Sequence, residues 1–491
     1  MNNLFEQVKQ LTEEISKEWN KTDSIVSKTV TQMAKLNLEL TDNFLELVKN
    51  KMPIAARIIA RPVYERSVFL QFILHDRREI SSRALLFYHS SRLRQYLWLN
   101  YILKDPTCFK NFEMEQKWFK KQSQFLKKNK KGTLKNWVSQ QIENEKQAFN
   151  RIENMVNYCE VSHFDKDERR KTWYRLDPEV FGGNLKISTL SDVSKYVLND
   201  PQNYYYNLFY GIDSLFTHGY LISDIFPEEA NEFKIALLNL CLGNLKAMCK
   251  FMDLSVNQEK QLNLLTRKVK QLHLNKQPLR LTEFEEKLDD KKLKDKFKVQ
   301  IEQNFKAYQW LENKHYNYAL HILLRTINEQ VMSWKWMLSN NSDKRIKLFA
   351  LTSQIQTISD IYRLCVPNSK EQQKLSHLRR DKKDIYDELA NDLMRERTIK
   401  KDKQKRRWFV LESNAQTVHS MHQLEHVLLP EDGEFSYLYA NGFLSVHVHG
   451  INLELPYSIE NKTVFLLAGV TDKNACHHVT EKLWNLFKSE E

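Results

Sequence analysis

The chain has 491 residues, enough for two or three ordinary domains that each bury a core. Its 42% hydrophobic and 28% charged content excludes disordered and fibrous classes. The 75 basic against 62 acidic side chains leave a net charge of +13, which suits an anionic partner, and no run of about 20 apolar residues is present to cross a bilayer.

Ten Gly and ten Pro over the whole length leave long stretches without turn signals, so the expected class is all-α, as helical bundles with long helical hairpins. Residues 1–24 begin with MNNLFEQVKQLTEEISKEW, a polar amphipathic stretch that reads as an added N-terminal helix. It lacks the basic, apolar and small-residue segments of a secretory signal, and a cytoplasmic protein is expected. The six cysteines contain no Cys-x2-Cys pair and read as reduced core residues.

A first helical domain is expected over 25–255. Within it, Ile54, Ile58, Arg61, Glu65, Val68 and Phe72 follow the three-four spacing of one helix face, which puts an Arg and a Glu one turn apart inside an apolar stripe. Buried unpaired charge costs several kcal/mol, so both residues require partners across the core. From Lys117 to Lys135 there are eight lysines and no acid, among them Lys120, Lys121, Lys127, Lys128, Lys130 and Lys131. These are candidate phosphate contacts, or else a solvated face. The tyrosines at 204, 205, 206 and 210 with Phe209 could stack bases, though core packing explains them as well. Gly211, Ser214 and His218 then share a helix face narrow enough for close approach by another helix.

Residues 256–300 are salt-rich and read as a charged linker and helix, and a second helical domain is expected over 301–491. The second half repeats the first. Ala60 to Leu74 aligns with Leu324 to Leu338 at a constant offset of 264, placing Arg61 on Arg325 and Glu65 on Glu329. Arg83, Leu86 and Phe87 recur as Arg345, Leu348 and Phe349 after a two-residue gap. Gly211, Ser214, His218 and Gly219 recur as Gly442, Ser445, His449 and Gly450 at an offset of 231. The pattern predicts two polar clusters, one of Arg61, Glu65, Ser214 and His218, the other of Arg325, Glu329, Ser445 and His449. Between Arg395 and Arg407 lies a second basic run, with Lys400, Lys401, Lys405, Arg406 and Arg407 as further candidate nucleic-acid contacts.

No Gly-rich phosphate loop, Gly-x-Ser-x-Gly elbow or dinucleotide fingerprint is present, which argues against an NTPase, an α/β-hydrolase and a Rossmann enzyme. His422 and His426 form an i, i+4 pair, but no Glu or Cys completes a zinc set, so neither metal nor other cofactor is expected.

With Arg61-x3-Glu65 on one helix and Ser214-x3-His218-Gly219 on a later one, each half resembles a bacterial domain-of-unknown-function family, 5677-like, and that family name implies no activity. A wider analogy is with HEPN helical domains, many of which are ribonucleases of toxin and phage-defence systems carrying Arg-x4-6-His on one helix. Here that spacing occurs at Arg83 to His89 and Arg267 to His273, and neither recurs in the other half. The expected function is an RNA-directed effector in phage defence or stress response, as a metal-independent ribonuclease. In it His218 and His449 move protons and Arg61 and Arg325 stabilise negative charge. The alternative is a non-enzymatic scaffold or nucleic-acid binder whose polar clusters only fix helix pairing.

Overall fold

The computed structural model describes residues 1–22, 24–104, 132–155, 173–174, 187, 189–200, 204–218, 231–272, 290–314, 317–338, 342–395, 411–412, 417–418, 424, 428, 457–459, 462–464 and 473–489, with positions 120, 123, 124 and 127. Those residues form an all-α fold with two short antiparallel ribbons, Leu411–Glu412 against Thr417–Val418 and Tyr457–Ile459 against Lys462–Val464. No described helix is long and apolar enough to cross a membrane.

The first five helices are α1 (Asn2–Asn20), α2 (Ile25–Lys49), α3 (Pro53–Ile73), α4 (Ile80–Lys104) and α5 (Leu134–Met155). Local chemistry sets their starts. Ser24 caps α2 by accepting from the Ser27 amide, and Pro53 opens α3, where its missing N–H leaves no bond unmade. From Ala55 to Ile73 every residue of α3 is buried, because α2, α6 (Leu190–Leu198), α7 (Asp213–Thr217) and α8 (Asn231–Cys249) all pack on it. A helix enclosed on all sides gives its polar residues no outlet to water, so they must be satisfied within the protein. Ser67 does so by accepting from Asn37 of α2 and Asn244 of α8, both at 3.0 Å.

After α9 (Val256–Lys270) come α10 (Asp290–Asn313), α11 (Asn317–Leu338), α12 (Ser342–Leu364), α13 (Lys370–Arg395) and α14 (Lys473–Lys488). Helix α10 starts inside the stretch read as charged linker, since Phe297, Ile301, Phe305 and Tyr308 line one buried face beneath its exposed lysines. Packing partners recur along the chain. As α2 packs on α3, α3 on α8 and α4 on α5, so α10 packs on α11, α11 on α14 and α12 on α13. A detail recurs as well. Arg83 of α4 donates to the Phe72 carbonyl at 2.7 Å with its guanidinium 4.3 Å from the Phe72 ring, and Arg345 of α12 donates to the Trp336 carbonyl at 2.9 Å, 4.2 Å from the Trp336 ring. Each cation satisfies a carbonyl in the last turns of a helix, where the backbone dipole is negative. The halves share one apolar core, with α11 and α10 packed directly on α3.

Candidate acid–base site

The charged residues of α3 and α11 meet where these helices cross. On α3 the Arg61 Nε donates to Glu65 Oε1 at 2.8 Å, with the two residues only 1% and 2% exposed. On α11 the equivalent pair is looser, Arg325 Nε lying 3.3 Å from Glu329 Oε1. Both pairs run Arg before Glu and would contribute only a few tenths of a kcal/mol on a surface; here enclosure makes them obligatory partners. The two pairs also sense each other: Glu329 acts on Arg61, and both Arg61 and Glu65 act on Arg325.

A π-helical segment, Tyr206–Ile212, supplies the third side. Gly211 makes this approach possible, because a Cβ there would sit 3.3 Å from Cγ of Asp360 on α12. The Tyr210 ring lies 4.5 Å from the Arg61 guanidinium and stacks on Tyr206 at 4.9 Å, while the buried Phe209 ring stacks on both Tyr205 and Tyr64. Burial, with Tyr210 close by, pushes the Tyr206 hydroxyl up to about 12, so it stays protonated at neutral pH.

The segment continues into α7 and ends on His218, whose Nδ1 is 3.1 Å from Glu329 Oε2. This link differs from the expectation of one polar cluster in each half. His218 reaches Glu329 of the other half because α11 packs against both α3 and α7, and Thr326 anchors the contact by donating to the Thr217 carbonyl at 2.9 Å. The His218 side chain is 38% exposed, against 7% for Glu329, so the imidazole connects solvent to the enclosed charges. Burial alone would raise the Glu329 carboxyl, but His218 and Arg325 together hold it below the usual range. Burial depresses Arg325, in contrast to Arg61, which Glu65 holds above its ordinary value despite burial.

Of the sequence candidates, Arg61, Glu65, Arg325, Glu329 and His218 come together. Ser214 lies in α7, but its side chain is outside the described residues, as are Ser445, His449, His422 and His426. Of the lysine candidates Lys120 and Lys127 are described and exposed; Lys121, Lys128, Lys130, Lys131, Lys400, Lys401, Lys405, Arg406 and Arg407 lie outside the described residues. Among the described residues no group of three or more His, Cys, Asp or Glu is arranged to hold a metal ion.

Sequence reasoning missed the fully buried Arg57–Asp213 ion pair, 2.8 Å between Nε and Oδ1, which fastens α7 to α3 one turn before Arg61. Desolvation pushes the Asp213 carboxyl up to about 7, against the opposing pull of Arg57. An Asp inside the aromatic segment 204–216 was the available signal.

Residues 23–233 match the model of a family of unknown function, DUF5677. The DUF5677 match takes in Arg61, Glu65, Ser214 and His218, and it ends at Phe233, whose ring lies under the Arg57 guanidinium. Arg325 and Glu329 fall outside it. No match was found among curated proteins or among solved structures.

Proposed function

We propose that the crossing of α3 and α11 is a metal-independent acid–base site for an anionic substrate, RNA being the class that the chain's charge favours, and that the protein is an RNA-directed effector of stress or phage-defence responses. The observation that carries this reading is the relay from a partly exposed His218 through Glu329 to Arg325. A carboxylate that accepts from Nδ1 sets the imidazole tautomer and leaves Nε2 as the proton-transfer atom, and it stabilises the imidazolium once the proton is taken. In RNA cleavage His218 Nε2 takes the 2′-hydroxyl proton as that oxygen attacks the adjacent phosphorus. The 5′-oxygen leaves with a proton taken from solvent water, giving a cyclic phosphate and a free hydroxyl end, and His218 returns its own proton to solvent. Arg325 and Arg61 lower the cost of the charge that builds on phosphorus oxygens.

The recurrence of Arg61 and Glu65 as Arg325 and Glu329, and of the Arg83 carbonyl contact at Arg345, supports reading the chain as two diverged copies of one helical unit. On that reading His449 performs the role of His218.

A non-catalytic scaffold is the second reading, favoured by the closed Arg61–Glu65 pair. Incubating total RNA with the wild type and with His218→Ala, His449→Ala and the double variant separates the two. The catalytic reading requires wild-type cleavage that the double variant loses while its Tm stays within about 2 °C of wild type. A wild type that leaves RNA intact, or a double variant that cleaves normally, overturns it.

A further inference from the structure

A second polar cluster sits on the opposite side of α4 from Glu65. Arg94 faces that carboxylate, whereas His89, Arg92 and Tyr96 lie on the other face and point to α5. There Glu145 accepts from Arg92 Nε at 2.6 Å through one oxygen and meets His89 Nδ1 at 2.7 Å through the other. The Arg92 guanidinium also donates to the Tyr88 and Tyr96 hydroxyls, both at 2.8 Å. A carboxylate oxygen accepts, so Nδ1 donates to Glu145, and in the neutral imidazole this leaves Nε2 as the hydrogen-bond acceptor. Nε2 has no protein partner among the described residues, and the ring keeps 16% of its side-chain surface exposed.

Helix packing does not demand this arrangement. The α12–α13 hairpin follows Arg345 as α4 follows Arg83, yet it carries Leu351 and Gln354 where α4 has His89 and Arg92. A buried His–Glu–Arg set that a similar hairpin does without is weak as a stabilising device, because desolvation offsets its ion pairs. Residues 117–135, which lead from the α4–α5 connection into α5, carry eight lysines and no acid, and of these Lys120, Lys127 and Lys135 are exposed. Closely spaced cations match the repeating phosphates of a nucleic-acid strand.

We infer that the α4–α5 hairpin is a single-stranded RNA-binding surface on which His89 Nε2 accepts a ribose 2′-hydroxyl and Lys120, Lys127 and Lys135 contact phosphates. The 2′-hydroxyl is the group that distinguishes RNA from DNA at a given site. Glu145 and Arg92 are positioning residues that fix the imidazole. The surface requires binding only and stands apart from the acid–base site.

The test is fluorescence anisotropy in the His218→Ala/His449→Ala background, which keeps any cleavage out of the measurement. The probes are labelled 12-nucleotide oligouridylate, its 2′-O-methyl form and the matching DNA. One acceptor hydrogen bond predicts a roughly fivefold preference for RNA over both analogues. His89→Phe is expected to abolish that preference while leaving DNA affinity unchanged. Lys120→Ala/Lys127→Ala/Lys135→Ala should weaken all three probes and reduce the salt slope by about 2. Equal affinity of the background protein for the RNA and its 2′-O-methyl form overturns the proposal whether or not His89→Phe folds. So do a preference retained in His89→Phe, and binding to an acidic polypeptide such as polyglutamate in place of all three probes.

Discussion

Replacing Glu329 by Gln tests the electrostatic core of the molecule. The variant keeps the side chain's shape and one acceptor oxygen, but it strips the buried Arg325 of its counter-charge. Two guanidiniums in electrostatic reach of each other, Arg61 and Arg325, are then balanced within the crossing by Glu65 alone. Breaking a buried pair from one side costs about 3–5 kcal/mol, and the retained amide places this case near the lower figure. Unfolding entropy of about 2.1 cal/mol/K per residue scales to about 1 kcal/mol/K for 491 residues, so a chain melting as one unit loses about 3 °C. Since the halves share one core, a single transition is expected, to be followed by circular dichroism at 222 nm at pH 7. The variant Glu329→Gln/Arg325→Met then removes the stranded cation and should recover at least about 2 kcal/mol. A single variant within 1 °C of wild type, or a double variant no more stable than the single, would refute the reasoning.

Other outcomes follow from neighbouring contacts. The folded-state carboxyl of Glu329 lies below its ordinary 4.5, so its contribution is complete above that pH and disappears as pH falls through the folded value. Urea midpoints should therefore decline less steeply below pH 4.5 in Glu329→Gln than in wild type. Asp213 has the opposite sign: raised to about 7, its contribution is complete below 3.8 and is lost as pH rises through about 7, and Asp213→Asn should flatten the wild-type decline between about pH 4 and 7. At Gly243 an added Cβ would stand 2.8 Å from Gln71 Nε2 and break the 3.0 Å bond from Gln71 to Asn244. Gly243→Ala is expected to lose about 1 kcal/mol in urea unfolding, its helix-propensity gain notwithstanding, and a more stable variant would contradict the contact. Arg83→Met and Arg345→Met should each cost about 2 kcal/mol, since both leave a helix-terminal carbonyl unmet; markedly unequal losses would argue against a common role.

What could be read from residues alone followed from periodicity. The stripe Ile58, Arg61, Glu65 placed these charges on a buried face of α3, and from that followed the need to pair them, although the helix is in fact enclosed on every face. Periodicity names a face but not the neighbour that covers it, which is why His218 was assigned to its own half although α11 presents Glu329 to it. The same limit hid Glu145, 56 residues from the His89 it orients. Helix α10 was obscured by lysines, although Phe297, Ile301 and Phe305 repeat at four-residue intervals beneath them. The Arg57–Asp213 pair escaped for a different reason: neither residue has an opposite charge one turn away along its own segment, and only the docking of α7 on α3 makes them partners.

The 111 residues that separate His218 from Glu329 have a practical consequence. Division of the polypeptide between Lys270 and Asp290 assigns the imidazole to one fragment and its carboxylate to the other. Each fragment would expose an apolar surface meant for its counterpart, and the proposed acid–base function becomes a property of reassembly. The molecule is thereby a ready substrate for complementation experiments, in which two inert gene products recover function on meeting.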